Sequence, residues 1–279
     1  MRLQYMSNLS YTVRMTTLKT SKSVIAWSSI ITLLVFVASL YGLFDSSIYG
    51  KETLNWATQA KGQDIGNLIA VVALAISGYL YTKGSFKAAL VWLGTLFYLI
   101  YAYIVYAMAV HFNSLFLVYV AILGLCSYAV VFNLGKIMSH KAKFPVSSRK
   151  FAARSLIAFG VLFALLWLSE VIPALIAGRA PQSTLDAGLW VNPIHVIDLS
   201  VVLPAFILTG VYALKGKTNG LLLLAPWLTF SAIMGSSIVA AMLMMGGDGF
   251  AKILPPMVIV SAVVVVSCIA LWRYLRKTV

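Results

Sequence analysis

The chain has 279 residues, of which 61% are hydrophobic and only 10% are charged. Its mean hydropathy is +0.95. This composition leaves too little polar surface for a soluble globular domain and indicates an integral membrane protein. The net charge of +14 implies no nucleic-acid partner, because the basic residues are scattered over short loops where they can lie against anionic lipid headgroups.

Eight apolar segments are each suited to crossing a bilayer, which takes about 20 residues for roughly 30 Å of hydrocarbon. In chain order they are 24–44, 65–82, 88–110, 114–135, 155–178, 199–214, 218–247 and 253–272. We call them predicted helices 1 to 8. The predicted fold class is therefore an all-α membrane protein with eight transmembrane helices, whose partner is the lipid bilayer.

The basic residues separate the two sides of the membrane. Seventeen of the 21 Lys and Arg residues lie near the chain ends or after predicted helices 2, 4 and 6, whereas all seven acidic residues lie toward the other side. The positive-inside rule therefore predicts that both termini are cytoplasmic. Because predicted helix 1 is full length and lacks a small-residue cleavage pattern, we expect it to be a retained anchor.

The predicted organisation has five parts. They are an N-terminal cytoplasmic tail (1–23), predicted helices 1–4 (24–135), a basic cytoplasmic loop (136–154), predicted helices 5–8 (155–272) and a C-terminal cytoplasmic tail (273–279).

The two sets of four predicted helices have a similar order of spans, outer loops and basic turns. The clearest local match pairs residues 77–84 with residues 209–216. Because each half contains an even number of spans, the halves would have the same orientation and form a parallel repeat. The alternative is that the positive-inside rule alone places basic turns at corresponding positions.

Predicted helix 6 must begin before Asp198. Only 16 uncharged residues separate Asp198 from Lys215, which is about 24 Å of helix and too short for the bilayer. Asn192 as the N-cap and Pro193 as the first helical residue extend the helix far enough. His195 and Asp198 then become neighbours on one helix face.

Two longer segments, 45–64 and 179–198, lie on the side opposite the termini. Each contains one tryptophan, Trp56 or Trp190, which we expect to anchor the segment at the headgroup level. The segments could also form short interfacial helices.

Glu170 lies inside predicted helix 5, 16 residues from Arg154 and about 24 Å along the helix. A carboxylate at such a depth costs a few kcal/mol unless it is paired or protonated, and it indicates a functional site. The candidate polar site consists of Glu170, His195, Asp198, Asp64, His111 and Asn113. The structural alternative is a Glu170–His195 hydrogen bond, with Asp64 and Asp198 as acids at helix N-termini.

Three sets of residues could hold a metal or cofactor, although none has a specific motif. Glu170, His195 and Asp198, with His111 or Asp64 as a fourth group, could bind zinc or relay protons. His111 and His195 could ligate haem. The thioethers of Met242, Met244 and Met245 could bind a soft ion, but Met in an apolar helix usually packs. The sequence therefore assigns no metal and leaves the cofactor unknown.

Predicted helix 3 is rich in tyrosine. At 100° per residue, Tyr98 and Tyr101 face one side and Tyr103 and Tyr106 another, so they do not form a single cage. They could contact a flat lipophilic ligand such as a quinone or lipid, or they could pack in the core.

Three sequences carry a resemblance: Trp167-Leu-Ser-Glu170-Val-Ile-Pro173, Asn192-Pro-Ile-His195-Val-Ile-Asp198-Leu and Gly62-Gln-Asp64. In these, the chain resembles a set of prokaryotic multi-pass membrane proteins of unknown function. The resemblance covers most of predicted helices 2 to 7. It implies a bacterial or archaeal inner membrane and no particular activity.

Three classes of function follow from these features. A transporter-like protein would use the carboxylates and His195, near the outer end of the bundle, to handle a small solute, proton or cation. An enzyme would use the same groups for acid–base chemistry on a lipid or extracytoplasmic substrate. A non-catalytic membrane interaction subunit is the third class. We favour the first, and we expect Glu170 and His195 to lie close together.

Overall fold

The computed structural model describes residues 22–140, 142, 144, 146–245 and 250–278. Eight of its helices are long and apolar enough to cross a membrane. They are α1 (Lys22–Phe44), α2 (Leu54–Thr82), α3 (Phe86–Ala109), α4 (Phe116–Met138), α5 (Val146–Ile176), α6 (Pro193–Leu214), α7 (Thr218–Met245) and α8 (Phe250–Lys277). The predicted fold class is confirmed.

A further short helix, Gln182–Asp186, lies in the loop before α6. An even number of spans puts the start of α1 and the end of α8 on one side, and we call the opposite side the outer end. Most of the predicted N-terminal tail (1–21) lies outside the described residues. So do Gly246, Gly247 and Asp248, where predicted helix 7 was expected to end.

Two helices extend into segments that the sequence predicted to be loops. Helix α2 begins at Leu54, where the Thr53 hydroxyl caps it by accepting a hydrogen bond from the Trp56 N–H at 3.2 Å. Helix α5 begins at Val146, inside the predicted basic loop, and buries Ala152 on its inner face. Both extensions are amphipathic, so a search for uninterrupted apolar residues ends before the helix does.

Helix α6 starts as predicted. The Asn192 side chain accepts a hydrogen bond from the Ile194 N–H at 3.0 Å, and Pro193 occupies the first helical position. The helix then widens into a π turn at Asp198–Val202, closed by the Leu203 N–H donating to the Asp198 carbonyl. Pro204 follows this turn. Because proline has no N–H, it already interrupts the regular α-helical hydrogen bonds at that point.

The two halves of the bundle have the same pattern of neighbours. In the first half α1 contacts α2 and α4, and α3 contacts α2 and α4; in the second half α5 contacts α6 and α8, and α7 contacts α6 and α8. The halves meet mainly where α7 packs against α2 and α3. This repeated pattern fits the predicted parallel repeat, although a true duplication stays a prediction.

Corresponding turns end α2 and α6. Gly84 and Gly216 have positive φ angles of 87° and 73°. In each turn the N–H of the following residue reaches back five residues, from Ser85 to the Leu80 carbonyl at 3.1 Å and from Lys217 to the Tyr212 carbonyl at 2.9 Å. Both are Schellman-type endings, in which glycine adopts the left-handed conformation without strain.

Close helix contacts at the interface between the halves depend on glycine. A Cβ atom at Gly62 would overlap the backbone of Ala241, and one at Gly66 would overlap the side chain of Ser237. The backbones of α2 and α7 therefore approach closely, as small residues allow in membrane bundles.

Candidate functional site

A cavity of about 380 Å³ lies among α2, α3, α5, α6, α7 and α8 at the outer end of the bundle. We call it the outer cavity. Its size is within the range of small-molecule sites, roughly 300–1,000 Å³. Its wall is mostly apolar and includes seven aromatic side chains: Trp56, Tyr101, Tyr106, Phe163, Trp167, Phe206 and Phe230.

Asp198 places a carboxylate in this wall. Its Oδ2 atom accepts a hydrogen bond from the Trp167 indole N–H at 2.8 Å, and the Tyr101 hydroxyl interacts with the same carboxylate. Asp198 is the first residue of the π turn in α6. Among the described side chains, no Lys, Arg or His forms an ion pair with Asp198.

Glu170 and His195 lie together behind this wall, as the sequence predicted. The Oε2 atom of Glu170 is 3.6 Å from Nε2 of His195, and the His195 ring packs against the Trp167 ring at 4.8 Å between centroids. The other Glu170 oxygen accepts a hydrogen bond from the Ser183 N–H at 2.9 Å. The pair thus supports Trp167 from one side and holds the loop before α6 from the other.

Asp64 belongs to a different cluster, and its predicted position at a helix N-terminus is wrong. Because α2 begins at Leu54, Asp64 lies three turns inside the helix and is 2% exposed. Its Oδ2 accepts from the Tyr49 hydroxyl at 2.7 Å, and its Oδ1 accepts from the Tyr106 hydroxyl at 2.9 Å. Burial raises the pKa of Tyr49, in the loop before α2, well above its usual value, so Tyr49 remains a donor.

His111 and Asn113 stabilise the outer loops and belong to neither the Asp64 cluster nor the outer cavity. Oε2 of Glu52 is 3.0 Å from Nδ1 of His111, and Oε1 accepts the His111 backbone N–H at 2.6 Å. The Asn113 side chain donates to the Ile48 carbonyl at 3.3 Å and accepts the Leu115 N–H at 2.9 Å. The predicted six-residue site is thus divided among separate places.

The side chains proposed as metal or haem ligands do not converge. Within residues 22–140, 142, 144, 146–245 and 250–278, no group of three His, Cys, Asp or Glu side chains is placed to hold a metal ion. His111 and His195 are engaged by different carboxylates. Met242 and Met245 line the outer cavity, whereas Met244 is 44% exposed.

The tyrosines of α3 divide as predicted. Tyr101 reaches the outer cavity, and both Tyr98 and Tyr101 pack edge-on against Phe230 of α7. Tyr103 and Tyr106 instead pack against one another at a tilt of 40° near Asp64. Tyr106 also lines the outer cavity, so this side chain lies between the cavity and Asp64.

Sequence reasoning missed two members of the outer cavity. Trp56 is not an interfacial anchor, because it is 3% exposed and its indole donates to the Ala109 carbonyl at 2.7 Å. Gln63 donates to the Tyr98 hydroxyl and accepts from Ser237 at 3.3 Å. Their spacing of seven residues, two helical turns, was the available signal, provided that α2 was extended outward. Trp190 is 99% exposed, as expected of an interfacial residue.

No protein-family model, curated protein or solved structure matches this chain.

Proposed function

We propose that this chain is a transporter-like protein of a prokaryotic cell membrane, and that its outer cavity binds a small organic cation with an apolar body. The observation that carries the proposal is the Asp198 carboxylate in an aromatic wall. A carboxylate in such a low-dielectric place attracts a counter-charge, and the described side chains supply none.

The aromatic rings determine what kind of cation fits. Trp56, Tyr101, Trp167, Phe206 and Phe230 line the outer cavity beside one negative charge. Aromatic faces attract quaternary or protonated amines, because the ring quadrupole is negative on its face. A hydrated inorganic ion gains little from such a wall, whereas an alkyl or aryl ammonium gains both burial and charge pairing.

The geometry supports binding and transport better than catalysis. An acid–base mechanism needs a suitable second titratable group within reach of the substrate. Asp198 is the one carboxylate or imidazole side chain among the described residues that line the outer cavity. Glu170 is already bonded to the Ser183 N–H and paired with His195.

The outer cavity reaches from the outer end of the bundle to about its middle, which suits an outward-facing intermediate of transport. The lining runs from Trp56 and Met245, near the outer helix ends, to Phe206 and Phe230, near the middle of their helices. Passage to the other side requires a rearrangement of α6 or α7. Both helices have an interrupted hydrogen-bond ladder, at the π turn of α6 and at Pro226 of α7.

Binding is tested with radiolabelled benzyltrimethylammonium on the purified full chain in detergent. We expect one saturable site, and the neutral isostere benzyltrimethylsilane should compete at least about tenfold more weakly because it lacks the charge. Asp198→Asn should abolish saturable binding. Asp186→Asn, an exposed carboxylate of the outer loop, is the matched control and should bind normally.

Uptake of the same probe into proteoliposomes tests the transport step. Asp198-dependent accumulation above that of empty liposomes is the expected result. Binding without accumulation would limit the protein to a receptor or interaction subunit. Equal binding by wild type and Asp198→Asn would overturn the proposal.

A further inference from the structure

Asp64 is surrounded by buried polar atoms that lack hydrogen-bond partners. Ser39 of α1, Asn67 of α2 and Tyr103 of α3 are each 0% exposed. The Ser39 hydroxyl, both amide atoms of Asn67 and the Tyr103 hydroxyl are unpaired among the described residues. Ser39 and Asn67 lie close to the Asp64 carboxylate without a hydrogen bond of normal geometry to it, and Tyr103 lies close to Ser39 and Asp64.

This cluster also carries an uncompensated charge. No described Lys, Arg or His forms an ion pair with Asp64, and its hydrogen-bond donors, Tyr49 and Tyr106, are neutral. The backbone of α1 closes the site from one side, since a Cβ atom at Gly42 would overlap Oδ2 of Asp64. An isolated buried carboxylate is costly unless something neutralises it.

Water, a proton and a small cation differ in whether they could neutralise the Asp64 carboxylate and pair with the surrounding polar atoms. A water molecule could satisfy the unpaired polar atoms, but it would not neutralise the carboxylate. A proton on Asp64 would neutralise the charge and pair with at most one orphan acceptor. A small monovalent cation would neutralise the charge and also take oxygen ligands from Ser39, Asn67 and Tyr103.

We propose that Asp64, Ser39, Asn67 and Tyr103 form a buried sodium-binding site in the first half of the bundle, on the far side of Tyr106 from the outer cavity. The donor atoms are hard oxygens, without nitrogen or sulfur ligands, and they suit an alkali or alkaline-earth ion. One carboxylate balances one positive charge. A divalent ion would leave a net charge buried at this depth, so the charge count selects a monovalent cation, which we take to be Na⁺.

The test measures ²²Na⁺ binding to the purified full chain and its thermal unfolding in NaCl, with KCl keeping the ionic strength constant. We expect one saturable site and an unfolding temperature that rises with Na⁺, because a ligand that binds the native state stabilises it. Asp64→Asn should lower Na⁺ affinity at least tenfold and remove the Na⁺-dependent shift.

Two variants serve as matched controls. Asp45→Asn changes a carboxylate of the outer loop that accepts hydrogen bonds from the N–H and hydroxyl of Ser47. Asp198→Asn removes the carboxylate of the outer cavity. Both should keep wild-type Na⁺ binding, so a failure of the sodium site is distinguishable from a failure of the proposed organic-cation site.

Tyr103→Phe addresses the risk that Asp64→Asn does not fold, since it keeps the ring and removes one buried hydroxyl. A ligand role predicts about tenfold weaker Na⁺ binding, whereas an unpaired hydroxyl with no ligand would leave Na⁺ affinity unchanged. The proposal is overturned by unchanged affinity in Tyr103→Phe or Asp64→Asn, by absence of saturable ²²Na⁺ binding, or by stabilisation that follows pH and ignores Na⁺.

Discussion

At the scale of single residues, Asp198 is held by a chain of contacts that starts outside the outer cavity. Glu170 faces His195, His195 packs on Trp167, and Trp167 donates its indole N–H to Asp198. A charged acceptor that is fixed in this way is preorganised, so a bound cation does not need to order it. Glu170 and His195 are therefore positioning residues, which explains why they lie close to the cavity without lining it.

Trp167→Phe tests this chain, because it keeps an aromatic ring and removes the N–H donor. Loss of a hydrogen bond to a charged group should lower the free energy of unfolding by about 1–3 kcal/mol and weaken benzyltrimethylammonium binding by roughly tenfold. Unfolding in mixed micelles and equilibrium binding measure the two effects. Trp190→Phe, at a fully exposed indole, should change neither; equal effects of the two substitutions would contradict a role for the Trp167–Asp198 bond.

The residues that sequence reasoning placed correctly share one property, namely that a local constraint fixes them. Asn192 and Pro193 define a helix start by their own chemistry, and this start sets the height of His195 opposite Glu170. Asp64 and Trp56 were misplaced because the prediction followed uninterrupted apolar residues, whereas α2 begins in an amphipathic stretch capped by Thr53.

At the scale of helices, glycine determines how closely α2 and α7 approach and therefore how the two halves meet. Gly62 and Gly66 lie one turn apart on α2 and face Ala241 and Ser237 of α7. The same face of α2 carries Gln63, whose side chain joins Tyr98 and Ser237 across the interface. The π turn of α6 is another feature of this scale, and its sequence signal, Pro204, indicates an interruption without specifying its type.

We expect Gly62→Ala and Gly124→Ala, which each add one methyl group, to change the free energy of unfolding in opposite directions. At Gly62 the new methyl group meets the Ala241 backbone, so the free energy of unfolding should fall by about 1–3 kcal/mol. At Gly124 of α4 no atom lies within 4 Å of the new methyl group, so alanine should stabilise the helix by about 0.5–1 kcal/mol. Unfolding of both variants in mixed micelles provides the comparison, and a loss of the same size at both positions would refute the close α2–α7 contact.

At the scale of the whole molecule, corresponding helices of the two halves make similar contacts within each group of four helices. Gly78 of α2 faces Ser28 of α1, and Gly210 of α6 faces Ile157 of α5. The carboxylates nevertheless differ: Asp64 is enclosed within the first half, whereas Asp198 opens into a cavity at the junction of both halves. A repeated framework therefore carries one buried site and one accessible site, and both lie toward the outer end.

The distribution of basic residues predicts how the helix bundle is oriented in the membrane. Most basic residues lie at the chain ends and in the turns after α2, α4 and α6, so these should face the cytoplasm. In a variant without Cys126 and Cys268, single cysteines at Trp190 and Lys51 should react with an impermeant maleimide on intact cells. Cysteines at Lys83 and Lys217 should react only after the cells are permeabilised. The reverse pattern would place both carboxylate sites near the cytoplasmic face, and the outer cavity would then take its ligand from inside the cell.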